Sequence, residues 1–153
     1  MRHIKKISDI FKKNKDFNGY CLNFIRHNAP QEYNEDSNGF GSWCFQNMPD
    51  AYEFVKPIIN KLKKENKNFK IFRTKHTKVG GGTDGIWLLF DNKDDIPDEF
   101  TKNPDKQKIS IPEEIYNRIW KNTEISLFEF EDYFNSEKYK LYLFNRDINK
   151  YNL

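Results

Sequence analysis

Between Arg73 and Trp87 the chain reads RTKHTKVGGGTDGIW, three basic side chains and a histidine ahead of three consecutive glycines and an apolar run. Lys and Arg meet phosphate through charge, and Arg adds a planar fork that binds two oxygens at once. Glycine lets backbone N–H groups approach an anion with no Cβ in the way, so Gly80, Gly81 and Gly82 form a candidate anion nest. Arg73, Lys75, His76 and Lys78 would line its approach, and Trp87 or Trp43 would offer a ring on which a base could stack. The same letters also spell a plain hairpin, with a glycine tip that needs positive φ and lysines that keep its strands soluble. GGGTDG is not a P-loop, because the Lys-Ser/Thr pair is missing and an apolar strand follows where that motif needs a helix.

Strand alternation divides these residues. Arg73 and Lys75 share a face with Ile71, whereas His76 and Lys78 share one with Phe72. Arg73 is the first choice among them, since the lysine-biased chain holds just five arginines. The surroundings add charge. From Lys56 to Lys78 there are nine Lys or Arg and one acid, Glu65, while from Asp84 to Asp105 there are seven acids and two lysines. The formal net charge of +3 therefore hides a dipolar layout able to gather phosphate at its basic end, including the lysine face of a helix over 49–65.

Other constellations carry less. Cys44, His76 and Asp84 have the types for a nucleophile, base and orienting acid, but Cys44 lies between Trp43 and Phe45, as a core cysteine would. No spacing of His and Cys matches a transition-metal site, so neither a metal nor another cofactor is expected. Asp91, Asp94, Asp95, Asp98 and Glu99 lack the alternation and glycine of an EF-hand; Asp95 to Glu99 reads as a Pro-started helical turn with acids at its positive end.

The elements that would position these groups follow from periodicity. Ile4, Ile7, Ile10 and Phe11 outline a short amphipathic helix over 4–13. Asp16 to Gly19 reads as a turn, 20–27 as a strand, 28–39 as a polar surface loop and 40–46 as a second strand. Ala51, Phe54, Val55, Ile58, Ile59 and Leu62 form one apolar stripe on the main helix, about 49–65, with Pro57 inside it. Residues 69–77 and 85–91 make the two strands around the glycines. Ser110 with Glu113 and Ser126 with Glu129 are capping boxes that start two later helices, and 138–144 alternates as an edge strand. Strands and helices mix without a βαβ rhythm, which predicts an α+β fold: a mostly antiparallel sheet of about four to five strands packed by the main helix and shorter ones.

With 153 residues, 37% of them hydrophobic and 16% aromatic, residues 1–153 are expected to form a single globular domain. No apolar run exceeds the five residues from Ile86 to Phe90, and MRHIKKISDIFKK lacks the apolar core of a secretory signal. Two cysteines make no disulfide framework, and the expectation is a cytoplasmic protein with reduced thiols and no membrane contact. The residues thus predict a non-enzymatic binding protein for a phosphate-bearing ligand, a nucleotide or short nucleic acid, held at the basic hairpin. The alternative is an inhibitor or immunity factor that binds a single protein partner through the acidic segment 91–99 or an aromatic surface.

Overall fold

The first described strand, β1 (Asp16–Arg26), is the hub of the sheet, in a computed structural model that describes residues 16–27, 34–35, 41–75, 83–100 and 107–151. The helix expected over 4–13 lies outside these residues, as does most of the 28–39 loop. Gly19, Cys21, Leu22, Asn23 and Phe24 are all buried, so β1 is covered on both faces, as a near-continuous buried run requires. Its far edge takes β5 (Gly85–Phe90) antiparallel, with Tyr20 opposite Phe90 and Ile25 opposite Gly85. The other edge is shared. Residues 23–26 pair in parallel with β3 (Gly41–Phe45), and 16–20 pair antiparallel with β6 (Lys108–Pro112). Beyond β3 lies the two-residue β2 (Asn34–Glu35), within the expected loop; beyond β5 come β4 (Lys70–Thr74) and the two-residue β7 (Glu124–Ile125).

The α+β, mostly antiparallel expectation holds, with one parallel pair, but the sheet has seven strands among the described residues where four to five were expected. β2, β6 and β7 are additional, and the strand expected at 138–144 is absent. Three local expectations differ from the structure. The turn expected at 16–19 is the start of β1; Gly19 is there because a Cβ would come within 2.9 Å of the Phe90 carbonyl oxygen. Ser110 does not cap a helix, since it sits inside β6 opposite Asn18, and its hydroxyl bonds Asp16 instead. Residues 138–144 are not an edge strand but the start of a long helix, described below.

Helix α1 (Met48–Lys64) closes one face. Asn47 caps it by accepting from the Asp50 N–H, and Pro49 occupies its first turn. Val55, Ile58, Ile59 and Leu62 are buried against Leu22, Phe24, Ile71, Ile86 and Leu88. Each is worth about 1.5–3 kcal/mol, so together they outweigh the roughly 3 kcal/mol cost of Pro57, which sits on the exposed side. Phe54, expected in the stripe, lies at its edge against Phe45, and Tyr52 is buried in addition. The opposite face carries Cys21, Phe72, Leu89 and Ile109 under a helical segment over 113–123, whose Tyr116 stacks on Phe17 with ring centroids 4.1 Å apart.

The Ser126–Glu129 capping box is present as predicted and starts α2 (Leu127–Asp132), which buries Phe130 beside Tyr52. Helix α3 (Glu137–Tyr151) follows, with Ser136 accepting from the Tyr139 N–H at its start. It is fastened to the first turns of α1. The Tyr139 hydroxyl donates to Glu53 at 2.7 Å, the Tyr142 hydroxyl donates to Asp50, and Arg146 spans both Glu53 oxygens at 2.9 and 3.0 Å.

Candidate functional site

The end of β4 delivers Arg73 and Lys75 into an open groove of about 750 Å³. Ile71 and Arg73 project toward α1, as alternation predicts, and the groove's other walls come from the chain after β6. Tyr52 of α1 and Tyr133 line it as a parallel stacked pair, centroids 3.6 Å apart and planes 11° apart. Asn122 and Glu124 enter from the β7 side, Glu129 and Asp132 from α2, and Lys138 from the first turn of α3.

Arg73 is held rather than offered. Its Nε donates to the Tyr52 hydroxyl at 3.2 Å, its Nη1 donates to the carbonyls of Thr74 and Gly85, and Asp84 stands 3.6 Å away. The side chain is 12% exposed, against the free, surface-lying Arg that a phosphate loop would present. Asp84 also faces Arg26 at 3.8 Å, so it ties the β1 end to the β4 end. Lys75 and Lys138 are exposed and are the cations able to move onto a ligand.

The tyrosines stay neutral well above physiological pH. Burial pushes the Tyr52 hydroxyl up against the opposing pull of Arg73, and burial raises Tyr133 to about 12, with Tyr52 beside it adding to the shift. The Tyr133 hydroxyl is buried with no hydrogen-bond partner among the described residues. One Glu129 oxygen accepts from the Ser126 N–H at 3.3 Å. With Arg73, Lys75 and Lys138 set against Glu124, Glu129 and Asp132, cations and carboxylates balance across the walls.

Other predicted residues fall elsewhere. Trp87 lies on the opposite sheet face, packed edge-on to Trp120 at 5.2 Å, with its Nε1 donating to the Thr74 hydroxyl at 2.8 Å. It cannot stack on a base held beside Arg73. Trp43 packs into the α1-side core near Phe24 and Phe100. His76, Lys78, Gly80, Gly81 and Gly82 lie outside the described residues, so the anion nest and the Cys44–His76–Asp84 set have no geometry here. Cys44 itself is buried in β3.

The lysine face of α1 is spent on structure. Lys61 meets Glu99 at 3.1 Å, Lys63 meets Glu131 at 2.6 Å, and Lys56 lies 4.4 Å from the Phe134 ring centroid. The acidic segment folds back toward Lys61 and Lys67 as two single 3₁₀ turns, Lys93–Asp95 and Asp98–Phe100, the second opened by Pro97. Among the described residues no cluster of His, Cys, Asp and Glu could hold a metal ion, and no helix is long and apolar enough to cross a membrane.

Alternation found Arg73 and Lys75 but missed Tyr52, Tyr133 and Lys138. The capping box at Ser126 was the one sequence signal near them. Compared with known proteins, the chain matches no family model, no curated protein and no solved structure.

Proposed function

We propose that this is a cytoplasmic binding protein for a small phosphate-bearing ligand, of the nucleotide class, taken into the groove at the end of β4. The observation that carries the reading is the convergence of Lys75 and Lys138, from elements remote in sequence, on one groove with Arg73 and the Tyr52–Tyr133 pair. Its volume of about 750 Å³ suits a single small molecule. Lys75 and Lys138 would take the phosphate, and Arg73 would hold the wall. Glu124, Glu129 and Asp132 would accept from sugar hydroxyls or base amino groups and repel a bare polyanion, which favours a mononucleotide over a long strand. The buried thiols of Cys21 and Cys44 fit a reducing compartment.

Thermal unfolding against mononucleotides, inorganic phosphate and short single strands, at low and high salt, tests this. A ligand at a hundred times its dissociation constant adds about 2.7 kcal/mol of stability. The expected result is a shift with mononucleotides that shrinks with salt and is absent with phosphate alone. No shift with any of them would remove the proposal. The rival reading, a protein-binding inhibitor, draws on Asp91, Asp94 and Asp98, which remain exposed. Under it, charge reversal at these acids would release a protein partner.

A further inference from the structure

Helix α3 has two faces of opposite use. Tyr139, Tyr142 and Arg146 hold it to α1, while on the other side Leu141, Phe144 and Ile148 are 60%, 61% and 39% exposed. Their spacing of three and four residues makes one apolar stripe along the helix. Beside it, on a single flank, stand Lys140 and Asp147, two turns apart and both exposed.

We infer that this stripe is a self-association surface, on which α3 of a second copy packs antiparallel about a two-fold axis at Phe144. The charge pattern chooses both occupant and direction. An isologous contact meets every residue twice, so an antiparallel pair sets Lys140 of each copy beside Asp147 of the other. It also places Phe144 on its own counterpart and Leu141 against Ile148. In a parallel pair the two-fold would run along the helices, so this flank of each copy would face the opposite flank of the other and Lys140 would not meet Asp147. The stripe is thus complementary to itself in one orientation. A contact made by one helix per copy falls at the small end of specific interfaces, so the dimer is weak and reversible. It does not depend on any ligand in the groove.

Sedimentation of the full chain across the micromolar to millimolar range tests this, with circular dichroism as the control on folding. The parent should show a reversible monomer–dimer equilibrium, abolished by Phe144→Asp. Lys140→Glu alone and Asp147→Lys alone should each weaken it by roughly tenfold or more. An equimolar mixture of those two variants restores opposite charges at both cross-pairs and should recover the dimer, as should the double variant in one chain. A parent that stays monomeric throughout overturns the inference. So does a dimer that ignores Phe144→Asp, or single variants that the mixture fails to rescue.

Discussion

Arg73 has the residue type of a ligand-binding group, and its contacts in the structure make it a test of the fold. Arg73→Ala removes the donors to the Tyr52 hydroxyl and to the Thr74 and Gly85 carbonyls, and it leaves Asp84 with Arg26 at 3.8 Å. Breaking a fully buried ion pair by removing one partner costs about 3–5 kcal/mol. Asp84 is 26% exposed and keeps a second cation, so its share falls below that range, and the lost charged hydrogen bonds, about 1.5–3 kcal/mol, bring the total to about 3 kcal/mol. For a chain of this size that lowers the melting midpoint by roughly 6–12 °C. Lys75→Ala, on an exposed side chain, should stay within about 0.5 kcal/mol of the parent. Arg73→Lys should not restore what Arg73→Ala loses, because an ammonium cannot reach a hydroxyl and two carbonyls from one planar fork. Paired thermal and urea unfolding curves, read by tryptophan fluorescence, measure both. An Arg73→Ala protein as stable as Lys75→Ala would refute the structural role assigned to the guanidinium.

Three further outcomes follow from particular contacts. Burial, reinforced by hydrogen bonds to Glu53 and Asp50, lifts Tyr139 and Tyr142 to about 12, above the unfolded value of about 10. Raised folded values mean their stabilisation is complete below about pH 10 and is lost as pH rises toward 12, so helicity should fall in that window. All eight tyrosines ionising together near pH 10, with helicity unchanged, would contradict this. Gly19→Ala should destabilise by about 1–3 kcal/mol in urea unfolding, because the clash with the Phe90 carbonyl exceeds the entropy gain usual for that exchange; a more stable variant would show the strand can open there. Trp87→Phe should cost about 1 kcal/mol through the lost bond to Thr74 and leave nucleotide affinity unchanged, and a large drop in affinity would put Trp87 back in the site.

Where local pattern and tertiary packing agree, the chain is readable. The stripe of α1, the Ser126–Glu129 box and the strands flanking the glycines all formed as periodicity predicts. Helix α3 is ambiguous in sequence because Tyr139, Leu141 and Leu143 alternate like a strand, while Tyr139, Tyr142 and Arg146 fit a helix equally well. The choice was made by Asp50 and Glu53, some ninety residues away. Ser110 and Ser126 carry the same motif, yet pairing with β1 claims Ser110 for a sheet. The separation of Trp87 from Arg73 needed the β4–β5 register, which sets Arg73 opposite Ile86 and Phe72 opposite Trp87. The groove stayed hidden because its walls come from 52, 73–75 and 122–138, joined only on folding.

On the proposed function, Lys75 and Lys138 hold the phosphate of a small ligand in that groove. Calorimetric titration of nucleoside monophosphates into the parent, Lys75→Glu and Lys138→Glu tests it most directly, since both lysines are exposed and their loss spares the fold. Saturable binding to the parent is expected, weakened by roughly tenfold or more in each variant, with melting midpoints unchanged. Binding of equal strength in all three proteins, or none to the parent, would contradict it.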